Sequence, residues 1–456
     1  MTDLQRNRLQ RARQDWPVFR LKHLAKLQGG GTPSKDREAY WTNGDIPWVS
    51  PKDMKRRVIA DTEDYITEEA VRESATSFVK AGSPLIVARS GILRHSLPVA
   101  ISGTRVTLNQ DMKAFHVGRR LLPEFLVYWI EGQQKDLLLE WRQFGATVES
   151  IDVQKMMDGR IALPDLATQK RIAAFLDRET ARIDELISKK ERLITLLDVK
   201  LRNAISIAVT KGINGTVDLK TSGVDWIGEI PAHWTVMKLG YLGRCANGIN
   251  IGGNAFGSGF PFISYSDVYK NRALPVTVSG LVLSTENDRR AYSVEAGDVF
   301  FTRTSETIEE IGFSSVCFET IENAVFAGFL IRFRPRKGQF APVFSKYAFQ
   351  HSGLRSYFAK EMNLITRASL SQNLLRNMPV ALPPLREQES IGHSLNALEC
   401  KVQAIAEKTR LTVQKLREYR ATLITAAVTG QIDVEAYGKV GTAPATLSRT
   451  EEEMQA

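Results

Sequence analysis

Leu163-Pro164-Asp165-Leu166-Ala167-Thr168-Gln169 returns 219 positions later as Leu382-Pro383-Pro384-Leu385-Arg386-Glu387-Gln388. The same offset, without a gap, pairs Ile172 with Ile391, Leu176 with Leu395, Leu197 with Leu416 and Ile205 with Ile424. It also pairs Ala208-Val209-Thr210 with Ala427-Val428-Thr429. Upstream it joins Pro123 to Pro342, Tyr128 to Tyr347, Thr147 to Thr366 and Ser150 to Ser369. Further back, Trp16-x-Val18-x-Arg20-Leu21-x-x-Leu24 matches Trp234-x-Val236-x-Lys238-Leu239-x-x-Leu242 at offset 218. Pro47, Ser50 and Asp53 match Pro261, Ser264 and Asp267 at offset 214. Small offset changes are small loop insertions. A repeat this long is two domains, not a solenoid of short units.

After each Leu-Pro the pattern turns helical, because a proline in the first turn lacks an N–H that would have no partner anyway. In the second copy apolar residues recur at spacings of four and three: Ile391, Leu395, Leu398, Val402 and Ile405, then Leu416, Tyr419 and Leu423. That is a heptad seam, interrupted by Thr409 and Thr412. The first copy keeps Ile172, Leu176, Ile183, Leu186, Leu193 and Leu197, with Lys190 snorkelling from one seam position. Such a helix, roughly 60 Å long for about 40 residues, cannot hide its stripe alone. A dimerisation coiled coil is one reading. Two such helices in one chain, each after its own globular domain, favour an intramolecular pair. If that pair is antiparallel, it separates the two domains and relates them by an approximate two-fold axis. The expected layout is a first globular domain over 1–160, a helical spacer over 161–214, a second globular domain over 215–380, a second spacer over 381–437 and a flexible tail over 438–456.

The globular segments carry short β-like runs, Leu85-Ile86-Val87, Val299-Phe300-Phe301 and Phe329-Leu330-Ile331, between helical stretches such as Glu124 to Trp141. This predicts an α+β class. Gly29-Gly30-Gly31-Thr32-Pro33-Ser34-Lys35 is a glycine-rich turn ending in a cation, and Asn247 to Gly259 is its counterpart. Neither follows a clear strand and opens a helix, so a plain turn is favoured over a nucleotide cradle. Polar and basic residues cluster on the expected loops. The first domain has Lys35, Lys52, Lys55, Arg56, Arg57, Arg89, Arg94, Asn109 and Gln110; the second has Arg244, Asn250, Lys270, Asn271, Arg272, Arg289, Arg290, Arg303 and Arg367. Arginine, asparagine and glutamine make bidentate contacts with purine edges, and lysines more often hold phosphates. Ordinary solvated surface is the alternative for any one of them. Arg89 and Arg303 stand out, each just after a buried strand, although a salt bridge within the domain would explain them equally well.

Composition agrees with a polyanionic partner. The 456 residues carry a formal net charge of +10, which favours nucleic acid. Cys245, Cys317 and Cys400 are too dispersed for a disulfide framework or a zinc site, which suits a reducing, cytoplasmic setting. The N-terminus lacks the apolar core of a signal peptide, and no apolar run approaches a membrane span. There is no Walker A sequence and no Asn/Asp-Pro-Pro-aromatic loop; the one Pro-Pro, Pro383-Pro384, opens a helix. Phe256-Gly257-Ser258-Gly259-Phe260 is a faint match to an S-adenosylmethionine loop, but Pro261 follows and no helix opens. Pro164-Asp165 lacks the Glu-x-Lys of a metal-dependent nuclease, and no catalytic triad or metal site can be assigned. The chain reads as a non-catalytic binding module.

The assembled pattern resembles the specificity subunits of Type I restriction–modification systems over nearly the whole chain, from Trp16 to about Asp433. The resemblance rests on the Leu-Pro-x-Leu-x-x-Gln-x-x-Ile segments at 163–172 and 382–391. It rests also on the helix exits Ala208-Val209-Thr210-Lys211-Gly212 and Ala427-Val428-Thr429-Gly430, and on Gly31-Thr32-Pro33-Ser34 with Tyr40-Trp41 and Gly44-Asp45-Ile46-Pro47-Trp48. The second domain keeps only Phe260-Pro261-Phe262-Ile263 of that last stretch. The resemblance implies two target-recognition domains on an antiparallel helical pair, reading the halves of a bipartite double-stranded DNA site. It implies two modification (methyltransferase) subunits and ATP-dependent restriction subunits as partners. S-adenosylmethionine, ATP and Mg2+ would sit on those partners, and no cofactor on this chain. A stand-alone DNA-binding regulator or architectural protein is the alternative, and a fused methyltransferase or nuclease is a further one that the missing motifs disfavour.

Overall fold

The computed structural model describes residues 3–143, 148–305, 311–361 and 368–437. The chain forms two compact units, Met1–Glu191 with Arg410–Ala456, and Arg192–Thr409. Two long helices, Leu166–Lys211 and Leu385–Val428, each contribute one part to either unit.

The first unit is built on a five-stranded sheet in the order Ala25–Gly29, Met112–Val117, Pro84–Val87, Val99–Ser102, Val58–Ile59. The second has four strands in the order Gly243–Asn247, Leu330–Pro335, Val299–Thr302, Ser314–Val316. The registers correspond: Ala25 faces Val117 as Gly243 faces Pro335, and Val87 faces Met112 as Thr302 faces Leu330. The central strands, Pro84–Val87 and Val299–Thr302, are wholly buried. Their apolar runs therefore show no alternation, as strands covered on both faces should not. Each follows a glycine at positive φ, Gly82 (81°) and Gly297 (90°), where a side chain would be strained. Each domain adds a small three-stranded sheet and a helix opened by proline, Pro123–Gly132 and Pro342–Ala348. The mixed class expected from the sequence is the class observed.

The repeated glutamines explain why the helix-opening motif is written twice. Gln169 is fully buried; its amide donates to the Arg120 and Pro164 carbonyls (2.9 and 2.8 Å) and accepts from the Leu122 N–H (2.8 Å). Gln388 does the same with Gln339 O, Pro383 O and Ala341 N (3.0, 3.0 and 2.9 Å). A buried amide with all three bonds made ties each long helix to the loop that precedes the proline-opened helix.

The helices run antiparallel. In the first unit Asp184 pairs with Arg420 (2.9 Å) and Glu191 with Arg417 (2.7 Å), rising along one helix while falling along the other, and Arg171 reaches Glu435 just beyond the end of the second helix (3.0 Å). One core there holds Ile172, Leu176 and Ile183 together with Leu416, Tyr419 and Leu423. In the second unit Leu201, Ile205 and Val209 share a core with Ile391, Leu395 and Val402. Leu197 and Leu398 are half-buried against it. Three expected seam positions are corrected: Leu186, Leu193 and Ile405 are 39%, 39% and 48% exposed. An α-helix drifts by about 20° per heptad relative to a strict seven-residue repeat. In the second helix the seam accordingly runs through Ala406, Thr409 and Val413, all buried, instead of through Ile405. Thr409 does not interrupt it, because its hydroxyl is satisfied by the Ile405 carbonyl at 2.7 Å.

Candidate nucleic-acid interface

Three segments converge at one end of each main sheet. In the first domain they are the glycine turn after Gly29, the Asn109–Asp111 turn and the residues after Val87. Gly31 N donates to Leu108 O (2.9 Å), and Ala88 N to Asp111 O (2.7 Å). Gly30 packs so closely on Leu108 and Asn109 that no Cβ fits there. Thr32 donates its hydroxyl proton to Gln110, and Arg89 reaches Asp111 (2.6 Å). Trp48 and Trp41 donate to Gly31 O and Ser34 O (3.0 Å each), which fixes the turn and holds Lys35 exposed at its tip. The hollow beside that tip is lined by Asp36, Glu38 and Asp64 as well as Lys35. Three carboxylates there repel a phosphate, so the turn is a platform and not a nucleotide cradle.

In the second domain the same framework carries different side chains. Ile249 N donates to Phe326 O (2.9 Å), Gly328 N to Ile249 O (2.8 Å) and Arg303 N to Phe329 O (2.9 Å). Gly328 has no room for a Cβ because the Asn250 side chain lies against it, and Arg303 Nη1 donates to Gly328 O at 3.4 Å. Asn250, Arg303 and the 62%-exposed ring of Phe329 thus form one cluster. Sequence reading missed Phe329: it stood within a β-like run and looked like core. The faint S-adenosylmethionine match lies in the extended strand Phe256–Ile263, kinked at Gly257 and Gly259, and opens no helix.

Arg89 and Arg303 are not equivalent. The strand registers align Val87 with Thr302. Arg89 bridges Ser150, and Thr304 pairs with Ser369. Arg303 therefore corresponds to Ala88, and a shift of one residue sends a strand side chain to the opposite face.

Lys35, Lys52, Arg56, Arg244 and Lys270 are exposed, and their charged heads have no partner among the described residues. Lys55 and Arg290 are engaged by the exposed Glu63 (3.3 Å) and Glu286, while Arg94 reaches the half-buried Glu149 (3.4 Å), which Arg142 also holds (2.7 Å). Exposed pairs of this kind are worth about 0–1 kcal/mol, so a phosphate can displace the acid. Asn271 bonds Asp267 O (2.9 Å), and Arg289 bonds Ser284 O (2.6 Å) while lying 3.8 Å over the Phe260 ring. Three candidates are turned inward. Asn109 is buried and accepts from Asp111 N (3.0 Å). Arg57 pairs with Glu131 (2.6 Å), and Arg272 with the buried Glu399. Both guanidiniums are half-buried against these carboxylates, which the sequence clusters could not reveal. Arg367 lies outside the described residues.

Burial raises the Cys317 thiol to about 12 and the Cys245 thiol to about 11, which keeps both protonated. No helix among the described residues is long and apolar enough to cross a membrane.

Two α+β domains, each presenting polar loop ends and each mounted on paired long helices, define the class. Residues 13–196 match the Type I restriction modification DNA specificity domain. The specificity subunit of the Type I restriction enzyme EcoR124I/EcoR124II from Escherichia coli is 43% identical over 158 residues, which is 35% of this chain and 39% of that relative. The MjaIX specificity subunit of Methanocaldococcus jannaschii is 27% identical over 52% of this chain and 53% of its own length. The chain thus spans about two fifths to one half of these two relatives. The MjaVIII specificity subunit of the same organism is 22% identical over 93% of this chain and 95% of its length. In fold, the HsdS subunit from Thermoanaerobacter tengcongensis covers 92% of this chain and 98% of its own, with TM-score 0.52 and 17% identity. A chain from a type I R-M system structure covers 92% and 99%, with TM-score 0.69 and 17% identity. Residues 13–196 thus carry a Type I restriction–modification DNA specificity domain, and the chain as a whole is similar to the specificity subunits of such systems.

Proposed function

We propose that this chain is the DNA-reading subunit of a Type I restriction–modification assembly. Each recognition domain reads one half of a bipartite duplex target. The long helices set the gap between the halves and offer their outer faces to two methyltransferase subunits. The chemistry belongs to partners: S-adenosylmethionine on the methyltransferase subunits, and ATP with Mg2+ on restriction subunits.

The observation that carries this reading is the duplicated framework with unlike side chains. The same three converging segments hold Thr32, Gln110 and Arg89 in one domain and Asn250, Arg303 and Phe329 in the other. A constant scaffold with changed tips suits two readers of different base sequences. Assembly with partners, as opposed to a stand-alone regulator, is favoured by the first long helix. Its Leu186, Leu193, Leu196 and Ile207 are 39%, 39%, 54% and 57% exposed, a row of aliphatics that water alone does not explain. The test is to reconstitute the chain with methyltransferase subunits and map the methylated positions by modification-sensitive sequencing. Two fixed half-sites at a constant gap are expected. Modification that proceeds equally without this chain, or at scattered sites, refutes the assignment.

A further inference from the structure

Each recognition domain is fastened to a long helix by a buried tyrosine, and the fastening occurs twice at the same offset. Tyr128, fully buried, donates its hydroxyl proton to Asp177 (2.6 Å) on the first long helix and meets Thr180 at 3.3 Å. Tyr347, 219 positions on and also fully buried, donates to Glu399 (2.7 Å) on the second. The helix positions differ. Asp177 corresponds to Asn396 and Thr180 to Glu399, so the acid has moved by one turn along the same face. Different acids thus accept the same phenolic proton in the two copies, and general core packing does not demand that.

An arginine from the basic loop completes each junction. Arg57 lies 3.2 Å from the centre of the Tyr128 ring and pairs with Glu131 (2.6 Å). Glu131 also holds Arg420 of the second long helix (2.6 Å), which reaches Asp184 of the first (2.9 Å). In the second domain Arg272 bonds Glu399 directly, and Lys346 adds a pair at 2.7 Å. Glu399 is 4% exposed. Burial alone would raise its pKa, but the bonds from Lys346, Tyr347 and Arg272 hold it below the usual carboxylate range. The loops carrying these arginines also carry the unpartnered cations Arg56 and Lys270, one and two residues earlier. A loop that can hold phosphate with one residue and, one or two residues on, grips the long helix directly (Arg272 on Glu399) or through Glu131 and Arg420 (Arg57) cannot rotate on the helix without breaking one of the two grips.

We propose that the Tyr128–Asp177–Arg57–Glu131 and Tyr347–Glu399–Arg272 clusters are positioning latches that set the angle of each recognition domain on its helix, and thereby the strictness of the gap between half-sites. The proposal rests on the bipartite reading given above. A latched domain admits one separation of the half-sites. A domain that swivels by a few degrees admits neighbouring separations, with the base-contacting tips untouched.

The experiment selects duplexes from a library with the two half-sites fixed and the gap varied base pair by base pair. It uses the full chain assembled with methyltransferase subunits. Tyr128→Phe, Tyr347→Phe and Glu399→Gln remove one hydroxyl or one charge each with little change in shape. Arg272→Lys is a milder second variant should Glu399→Gln fail to fold. Leu395→Ala, which opens a cavity in the same core but removes none of the latch hydrogen bonds or charges, serves as the structural control. Latch variants should keep the half-site sequences and lose about tenfold in discrimination between the preferred gap and its neighbours, while Leu395→Ala keeps that discrimination. Latch variants as strict as the wild type overturn the latch and leave the bipartite reading standing. Equal loosening by Leu395→Ala also overturns it, because general destabilisation then suffices. A wild-type assembly indifferent to the gap overturns both.

Discussion

Asn250 and Arg303 are held against the Gly328 peptide at one end of the second sheet, with the Phe329 ring exposed beside them. Under the bipartite reading, Asn250→Ala and Phe329→Ala should reduce discrimination in one half-site by about 1–3 kcal/mol per contacted base pair and leave the other half unchanged. Competition binding against single-base variants of both half-sites measures this; loss in both halves would show that the domains do not read separately. Arg56→Ala and Lys35→Ala should instead weaken all sequences alike and lower the salt slope by about one each. Glu399 yields a pH expectation with a definite sign. Its folded pKa is lowered, so its contribution is present above the unfolded value of about 4.3 and disappears as pH falls through the folded value. Urea unfolding between about pH 3 and 7 should therefore show a shallower acid loss for Glu399→Gln than for the wild type, and identical slopes would contradict it. At this scale the sequence was only partly legible. Clusters of cations can be read from a string of letters, but Arg56 and Arg57 are adjacent, and one is exposed while the other is bound inside the domain. The register that separates Arg89 from Arg303 depends on strand pairing, which a motif with one extra residue conceals.

The long helices were the most legible elements, because a heptad pattern states both the element and its need for a partner. Their starts were legible too, through Gln169 and Gln388, whose buried amides account for an otherwise opaque motif. The register near the middle was not, since drift between the 3.6-residue turn and the seven-residue repeat accumulates until Ala406 replaces Ile405. This makes a paired prediction about stability. Leu395→Ala should cost about 2–5 kcal/mol, as for a buried aliphatic whose cavity cannot collapse. Ile405→Ala should stay within about 0.5 kcal/mol, as for an exposed site. Denaturant midpoints for the two variants compare them directly. Equal losses would put Ile405 back in the seam.

At the scale of the whole molecule, the bipartite reading makes the two domains, which share a plan but not their tips, separately exchangeable, and makes the helices govern what both domains share. Replacing residues 16–160 by the corresponding domain of another specificity subunit should change one half-site and neither the other half-site nor the gap. Lengthening the helices should do the converse. One heptad inserted between Glu191 and Arg192 and another between Thr409 and Arg410 fall at the boundary of the two units and add matched length to both antiparallel strands of the pair. Seven residues at about 1.5 Å each add roughly 10 Å while keeping the apolar seam in phase. At about 3.4 Å per base pair that is close to three base pairs. Modification-sensitive sequencing of DNA methylated by the lengthened assembly should return both original half-sites at a wider gap. An insertion in one helix alone leaves seven residues unmatched and should unfold or inactivate the protein instead of shifting the gap. If the doubly lengthened protein stays folded and active at the original gap, the helices do not set the spacing. The constraint would then have to lie in the partner subunits, since neither recognition domain was altered.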